Sequence, residues 1–298
     1  MLLTRRQWIA ATALSGAAAA AKAPFVKSIC SVIFPPGEPL DSMFSRARQA
    51  GFAGIELRLG PDVPMDSTDA ALGRIRSLSR DSGVAIASLW VSQPLSRHPL
   101  NSPEAGIREQ GVADIRRATE IAAAVGCGAL LLVPGRVGNG PQLFAGYEET
   151  WKRITDELGK CIPAAAANKT LLTVENVWNK FLVSPLEMRA FVDQFHSPWL
   201  AAHFDMGNVM QFGYPEDWVH ILGPRIRRVH VKDYKLSSRA EQGRFVPLLD
   251  GDVNFAAVFR ALRETAYSGF LSPEIDYDPA RPDQLAEVAA KLDRILTM

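Results

Sequence analysis

The chain has 298 residues, 47% of them hydrophobic, which is enough for one large core or for two ordinary domains. It carries 33 basic and 32 acidic side chains, a net charge of +1, and this balance excludes the basic surface typical of proteins that bind nucleic acid or acidic membranes. We therefore expect a small-molecule partner held in a pocket. The sequence leaves the oligomeric state open, a homo-oligomer included.

Residues 1–23 differ in composition from the rest and predict a twin-arginine signal peptide. Thr4-Arg5-Arg6-Gln7-Trp8-Ile9 opens an alanine-rich apolar run that extends through Ala21, and Ala21-Lys22-Ala23 fits the small-residue form of a cleavage site. The alternative to a signal peptide is an ordinary N-terminal helix with two surface arginines. The alternative to cleavage at this site is a cut a few residues earlier. No other stretch approaches the roughly 20 apolar residues of a membrane span. The signal therefore predicts a periplasmic or extracytoplasmic protein with no membrane contact after cleavage.

From residue 24 to residue 298, short apolar runs recur about every 30 residues, a spacing typical of strand–helix units. The predicted strands are Lys27–Ile33, Gly54–Arg58, Val84–Val91, Ala129–Val133, Leu171–Glu175, Leu200–Asp205, Arg228–Val231 and Phe270–Glu274. The cysteines Cys30, Cys127 and Cys161 are odd in number and widely spaced, so we interpret them as small buried hydrophobic residues.

Segments with apolar residues at three- and four-residue steps separate these strands and predict helices. They are Pro39–Ala50, Ser67–Ser82, Pro103–Val125, Tyr147–Ala167, Ser184–Phe195, Trp218–Leu222, Asn254–Tyr267 and Pro282–Leu296. Gly51, Gly83, Gly126 and Gly269 stand where helices end, as expected for left-handed turns before the next strand. Eight such units predict an α/β fold of the (β/α)8 TIM barrel class. A doubly wound open sheet is the competitor, but the chain lacks its glycine-rich loop after the first strand.

Four polar residues stand at or just past the ends of successive predicted strands. Glu175, Asp205 and Glu274 follow apolar runs directly, and His230 lies within its strand. In a barrel these positions meet at the C-terminal mouth, where three carboxylates and one imidazole make a site for a hard or borderline divalent metal. Each residue taken alone is better explained as a surface carboxylate or a satisfied core histidine. Their occurrence in four successive strands favours the metal site.

The segments around these residues resemble those of the sugar phosphate isomerase/epimerase family, a group within the xylose isomerase-like TIM barrels. The resemblance covers nearly all of residues 24–298 and depends on GFAGIELR, TVENVWNKF, AHFDMGNV, RVHVKD, LLDGDVNF and GFLSPEID. It implies that Glu175, Asp205, His230 and Glu274 hold a divalent ion, commonly Mn²⁺, with Mg²⁺, Co²⁺ or Zn²⁺ as alternatives. It further implies that Glu175 and Glu274 are the catalytic pair, on opposite faces of a sugar carbon that inverts.

The chemistry explains why this reaction needs these residue types. Removal of a proton from a carbon next to a carbonyl leaves an enediolate, whose negative charge a chelating cation stabilises. One glutamate takes the proton, and the other returns a proton to the opposite face. The resemblance thus implies a metal-dependent sugar isomerase or epimerase that acts on a keto sugar or its phosphate. The predicted export favours a substrate without phosphate.

Two residues, Asn208 and Lys232, differ from the pattern of free-ketose epimerases, and Asp233 follows the second of them. Asn208 occupies a position where many of them have histidine, and Lys232 occupies one where they have arginine. The His-Val-Lys-Asp sequence is similar to inosose dehydratases, so a metal-dependent lyase or dehydratase on a keto sugar or 3-keto glycoside is the alternative function. Lys232, held by Asp233, is expected to meet an oxyanion or a phosphate, with a surface ion pair as the other interpretation. Asn208, Lys232 and Asp233 are all predicted to contact the substrate.

Five further residues are candidates for substrate contact. Glu56 is expected to bind a sugar hydroxyl, to orient His230 or to pair with a neighbour such as Arg58. His203 precedes Asp205 by two residues, so it lies on the same side of the strand. It is either a substrate contact or a core histidine one layer deeper in the barrel. Asn176 and Trp178 suit hydroxyls and sugar C–H faces, although Trp178 equally fits loop packing. His98 lies in a long segment that is either a lid over the pocket or an ordinary polar loop.

A third functional class is a sugar-binding barrel without turnover. The presence of both Glu175 and Glu274 is an argument against it, because binding alone does not need a proton-transfer pair.

Overall fold

A computed structural model describes residues 25–138, 145–237 and 243–298 of the chain. The predicted signal peptide, residues 1–23, lies outside the described residues. Within those ranges, no helix combines the length and the apolar character that a membrane crossing requires.

Eight parallel strands close into a barrel, which confirms the predicted (β/α)8 fold. The strands, numbered in chain order together with two that lie outside the barrel, are β1 Phe25–Cys30, β2 Gly54–Arg58, β3 Ala85–Trp90, β4 Ala129–Leu132, β5 Leu171–Glu175, β6 Leu200–Asp205, β7 Ile226–Val231, β8 Asp233–Lys235, β9 Arg244–Val246 and β10 Gly269–Pro273. Around the barrel the order is β1-β10-β7-β6-β5-β4-β3-β2, and β8 and β9 form a separate antiparallel pair. Strands β2, β5 and β6 have the bounds that the sequence predicts.

Helices surround the barrel and connect its strands. They span Leu40–Gln49, Asp69–Ser82, Ser92–Arg97, Ala105–Val125, Tyr147–Gly159, Ile162–Ala167, Pro185–Asp193, Met206–Val209, Pro215–Leu222, Phe255–Glu264 and Gln284–Leu296. The single helix predicted over residues 147–167 is two helices, because Pro163 has no N–H to continue the ladder through this point. Gly83 and Gly126 end their helices in left-handed conformations, with φ of 70° and 81°.

One predicted glycine turn is wrong. Gly269 is already the first residue of β10, and Ala266, with φ of 56°, takes the left-handed conformation in that connection instead.

Three elements absent from the sequence-based prediction follow the C-terminal ends of barrel strands. The short helix Ser92–Arg97 follows β3, and the helix Met206–Val209 follows β6. Strands β8 and β9, which we call the hairpin arm, follow β7 and pair Tyr234 with Phe245. All three add structure at the mouth of the barrel.

Strand alternation divides the core into an outer apolar layer and a polar barrel interior. Phe204 and Val229 are buried between the strands and the helices, whereas their neighbours His203, Asp205 and His230 have the opposite orientation and face the barrel interior. Burial of each large apolar side chain contributes about 1.5–3 kcal/mol. This outer layer holds the strands rigidly enough to position polar groups inside the barrel.

Candidate metal centre and cavity

The structure brings Glu175, Asp205, His230 and Glu274 together at the C-terminal mouth of the barrel. Glu175 and Asp205 end β5 and β6, His230 lies in β7, and Glu274 follows β10 directly. In register, Asp205 lies opposite His230. One donor atom from each of the four residues lies within 4.8 Å of the other three.

The imidazole of His230 lies at the centre of this cluster and is fully buried. Its Nδ1 is 2.8 Å from Glu274 Oε2, 3.1 Å from Glu175 Oε1 and 3.7 Å from Asp205 Oδ2. Burial would lower the pKa of His230, but the negative charges around it, including those of Glu56, Glu274 and Glu175, raise the pKa well above its usual value. Without a metal, the imidazole of His230 therefore stays in its positively charged form.

The three carboxylates differ in their electrostatic environment. Burial raises the pKa of Glu175 to about 7, because the positive charges of His230 and Lys232 offset it only in part. Burial acts on Asp205 in the same direction, but Lys232 and His230 outweigh it and lower the pKa to about 2. For Glu274 the balance has the same sign, and its pKa is lowered. Glu175 is thus the carboxyl that binds a proton most readily in the metal-free protein.

Lys232 makes its ion pairs inside the cluster. Its Nζ lies 2.7 Å from Glu274 Oε2 and 3.0 Å from Asp205 Oδ2, and the side chain is only 15% exposed. The interpretations of Lys232 as a surface ion pair or as a partner of Asp233 are both wrong. The Asp233 carboxylate instead accepts hydrogen bonds from the backbone N–H groups of Tyr234, Gly251 and Val253.

Two observations indicate that these four residues could coordinate a divalent cation. Their donor set, three carboxylates and one imidazole, suits a hard or borderline ion. Among the described residues, Asp205 Oδ2 and Glu274 Oε2 are buried and accept no hydrogen bond of ordinary geometry, although Lys232 lies within ion-pair distance of both. These oxygens face His230 Nδ1 and the Lys232 ammonium, so the cluster already stabilises positive charge at this position.

Behind the cluster, Glu56 contacts the other nitrogen of the histidine. Glu56 Oε1 lies 2.8 Å from His230 Nε2, and the Ser88 hydroxyl donates to Glu56 Oε2. Burial would raise the pKa of Glu56, but His230 lowers it to about 2. Arg58 pairs with Asp62 instead, which makes the interpretation of Glu56 as an Arg58 partner wrong. The geometry supports a role in orienting His230.

Cys30 lies beside this pair. It is buried, as the sequence predicts, but its Sγ is 3.3 Å from Glu56 Oε1 and 3.5 Å from His230 Nε2. It therefore packs against polar groups, and sequence reasoning that treated it as a purely hydrophobic residue missed this position.

His203 lies deeper in the barrel than Asp205. It is buried, its Nδ1 is 3.3 Å from the Thr173 hydroxyl, and its ring centre is 4.2 Å from that of His230. Burial lowers its pKa well below the usual value, so the ring is neutral. Its position supports the interpretation as a core histidine that packs beneath His230.

Asn176 and Asn208 hold the ends of β5 and β6 together. The Asn176 amide donates to the carbonyl of Asp205 and accepts from its N–H, at 2.8 and 2.9 Å. Asn208 donates to the carbonyl of Asn176, and its own N–H donates to Asp205 Oδ1 at 2.8 Å. Both amides therefore fix the position of Asp205. Their predicted contacts with substrate remain predictions.

His98 lies away from the cluster. Its Nδ1 is 2.7 Å from Asp114 Oδ2 on the helix Ala105–Val125, and its neighbours Ser96 and Pro99 contribute to the cavity described below. The side chain is therefore oriented by a carboxylate outside the mouth.

A cavity of about 990 Å³ opens above the cluster. Its reactive end contains Glu175, Lys232 and Glu274, and its side wall contains Trp178 and Phe245. The remaining lining residues are Trp90, Ser92, Leu95, Ser96, Pro99, Val133, Gly135, Arg136, Val137, Gly138, Val177, Asn179, Lys180 and Asn208.

Sequence reasoning missed two aromatic residues of this cavity. Trp90 ends β3, so the strand-end rule that identified Glu175 would also have identified Trp90. Phe245 lies in the hairpin arm, for which the chain gives no periodic signal. Trp178 was predicted, and its indole N–H donates to the carbonyl of Asn208 at 2.9 Å.

Comparisons with known proteins agree with this fold. The sequence profile described as "Xylose isomerase-like TIM barrel" matches residues 44–295. A curated relative, L-ribulose-5-phosphate 3-epimerase UlaE of Escherichia coli O1:K1 / APEC, is 28% identical over 272 residues, which cover 87% of this chain and 89% of the relative.

Two solved structures show the same fold at lower identity. D-Psicose 3-epimerase from Clostridium cellulolyticum H10, solved with D-tagatose, superposes with a TM-score of 0.77 at 14% identity, covering 91% of this chain and 99% of that chain. The 3-keto-D-glucoside 4-epimerase YcjR from E. coli superposes with a TM-score of 0.74 at 16% identity, covering 92% of this chain and 100% of that chain.

Proposed function

The chain belongs to the xylose isomerase-like TIM barrel family, and we propose that it is a divalent-metal-dependent isomerase that epimerises or isomerises a keto sugar by proton transfer. The observation that carries the proposal is the arrangement of the two glutamates. Glu175 and Glu274 come from β5 and from the end of β10, on either side of the β6–β7 pair that carries Asp205 and His230. Two carboxylates thus approach one position from opposite sides.

Glu175, Asp205, His230 and Glu274 would hold the cation. When bound, the cation supplies Lewis-acid stabilisation of the negative charge that develops on the sugar oxygens. Glu175 and Glu274 then serve as the base that removes a proton next to the carbonyl and the acid that returns one to the other face. We propose Mn²⁺ as the cation, with Mg²⁺, Co²⁺ and Zn²⁺ as alternatives that the same donors accept.

Lys232 supports the same reaction by electrostatics. Burial would lower its pKa, but Asp205, Glu274 and Glu175 raise it well above the usual value, so the ammonium keeps its proton. A permanent positive charge beside Glu274 stabilises a developing oxyanion.

The lyase or dehydratase is the second candidate, and a specific observation supports it: the buried ammonium of Lys232 lies 2.7 Å from Glu274, so a positive charge stands beside a proposed acid–base residue, as the departure of a negatively charged oxygen would require. Both functions begin with the same proton abstraction. They differ in whether a bond from the neighbouring carbon to oxygen breaks.

The experiment is an NMR assay in D2O with Mn²⁺-loaded protein and a panel of ketoses, ketose phosphates and 3-keto glycosides. Deuterium in a sugar that changes only its configuration or its carbonyl position supports the isomerase. Loss of water or of an aglycone means that the protein is a lyase. If no sugar in the panel exchanges or reacts while the protein binds sugar, the proposal is overturned in favour of a binding barrel.

A further inference from the structure

We propose that the substrate is a keto sugar that carries a second ring through a glycosidic bond, and that Trp178 and Phe245 bind that second ring. The proposal rests on the function proposed above and names its class of substrate. Three features of the cavity carry it: the room beyond the reactive end, the rigid aromatic wall, and the position of that wall beside Glu274.

The cavity has more room than the reaction itself requires. Its volume of about 990 Å³ lies at the upper end of the range of about 300–1,000 Å³ for sites that enclose drug-sized ligands. The predicted proton transfer uses only the end that contains Glu175, Lys232 and Glu274. Val137 and Val177 line other parts of the same cavity.

The wall beside this space consists of aromatic rings in fixed positions. The rings of Trp178 and Phe245 are stacked, with centroids 5.1 Å apart and an interplanar angle of 23°, and Tyr234 packs edge-on against both. The Trp178 indole N–H donates to Asn208, and the Tyr234 hydroxyl donates to Gln211 at 2.8 Å. Because hydrogen bonds already order two of the three rings, a ligand that stacks here loses little affinity to side-chain ordering.

Phe245 is the part of the wall that remains open. It lines the cavity and is 44% exposed, so part of its ring is accessible to a ligand. Lys232 Nζ lies 5.3 Å from the centre of its ring and 2.7 Å from Glu274 Oε2. One side chain, Lys232, thus links the wall to the carboxylate that we propose transfers the proton.

A flat ligand face with C–H groups suits this wall. The C–H face of a pyranose and the face of an aromatic aglycone share that chemistry, since both present weakly positive hydrogens or a π surface to an aromatic ring. A phosphate fits this wall less well, because its charged oxygens have no C–H or π face to place against an aromatic ring.

The test compares four substrates on the full chain loaded with Mn²⁺: 3-keto-glucose, 3-keto-cellobiose, phenyl 3-keto-β-glucoside and L-ribulose 5-phosphate. The rate of deuterium exchange gives kcat/KM for each. We expect at least one two-ring substrate to exceed 3-keto-glucose in kcat/KM, and Phe245→Ala to reduce that advantage by about two- to tenfold. Calorimetric titration of the metal-free protein with the two glycosides should show the same loss of affinity in the variant.

Phe212→Ala is the matched control, because Phe212 is 52% exposed and lies outside the cavity lining. It should leave the advantage unchanged. The pyranosyl and phenyl arms identify which ring the wall prefers. If 3-keto-glucose exchanges as fast as both glycosides, or if L-ribulose 5-phosphate is preferred, the two-ring proposal is overturned while the isomerase stands. If no substrate exchanges, both proposals are overturned.

Discussion

Glu56 and His230 form a buried pair in which the glutamate Oε1 lies 2.8 Å from Nε2 of the imidazole, while Nδ1 of the same ring faces Glu175 and Glu274. A carboxylate that holds one imidazole nitrogen fixes the orientation of the other. It also increases the basicity of the ring toward a cation. Glu56 thus acts on the proposed metal centre through His230, without contact with the cation.

This relationship predicts the effect of Glu56→Gln. The substitution keeps the volume of the side chain but removes its charge, so the affinity for Mn²⁺ should fall by about 10- to 100-fold, with kcat at saturating metal changed much less. Metal titration followed by activity at saturating Mn²⁺ measures both quantities. An unchanged metal affinity with a raised KM would instead assign Glu56 to a sugar hydroxyl.

Glu274→Gln should remove proton exchange at the substrate carbon and leave the fold intact. An amide cannot accept or return the proton, and positioned acid–base groups contribute about 10²- to 10⁴-fold in rate. Deuterium incorporation at full metal occupancy is the measurement. Glu264→Gln, at an exposed residue that pairs with His220, is the control. Exchange at the wild-type rate in Glu274→Gln would exclude Glu274 from proton transfer.

The affinity for a divalent metal should increase with pH between pH 6 and pH 8. Metal ligands must be deprotonated, and in the metal-free protein burial raises the pKa of Glu175 to about 7 while the acidic neighbours of His230 raise its pKa well above the usual value. Protons therefore compete with the cation at low pH and are released on binding. Titrations with a competing chelator at pH 6, 7 and 8 measure the trend.

For this pH dependence, Glu175→Gln is the informative variant. It lacks the carboxyl that titrates near pH 7, so its affinity should be lower and its pH dependence weaker. A wild-type affinity that is the same at pH 6 and pH 8 would show that neither Glu175 nor His230 loses a proton when the metal binds.

The sequence predicted the barrel and the convergence of its four polar strand ends because both depend on local signals. Glu175 and Asp205 follow buried apolar runs, and the closed barrel necessarily brings successive strand ends to one face. Contacts across the barrel have no such signal, so the orientation of His230 by Glu56 was only one of three alternatives for Glu56. The pair of Glu56 and His230 joins β2 to β7, and only the closure and register of the sheet define its distance.

The hairpin arm was not predicted for a related reason. Its strands have three residues each, which is too short for an alternating apolar pattern to be recognised. Asp233 holds the arm through backbone N–H groups, and because every residue except proline has such a group, the sequence does not reveal these contacts. For the same reason the aromatic wall was predicted only in part, with Trp178 identified and Phe245 missed.

We propose that the protein is exported, and substitution of the twin arginines, Arg5 and Arg6, tests this proposal. Arg5→Lys combined with Arg6→Lys should retain the protein in the cytoplasm, because a twin-arginine signal is recognised by its receptor through these residues. Fractionation of cells that express each form is the measurement. Equal amounts of both forms outside the cytoplasm would remove the assignment of a twin-arginine signal.

Asp233→Ala should destabilise the protein, with any effect on substrate binding secondary to this. The Asp233 carboxylate accepts backbone hydrogen bonds from Tyr234 and Gly251 at 2.8 Å and from Val253 at 3.2 Å, and it is buried. Removal of this acceptor leaves buried N–H groups unpaired, which should lower the free energy of unfolding by about 2–4 kcal/mol. Urea denaturation of the metal-free protein measures the change.

The matched control is Asp250→Ala, at an exposed carboxylate that pairs with Lys291 at 3.1 Å. An exposed ion pair contributes little, so this variant should stay within about 0.5 kcal/mol of the wild type. If Asp233→Ala also stays within that range but raises KM, then Asp233 contacts the sugar, as the sequence predicts. A loss of stability in Asp233→Ala that the control lacks would instead establish Asp233 as the residue that ties the hairpin arm, and with it Phe245, to the mouth of the barrel.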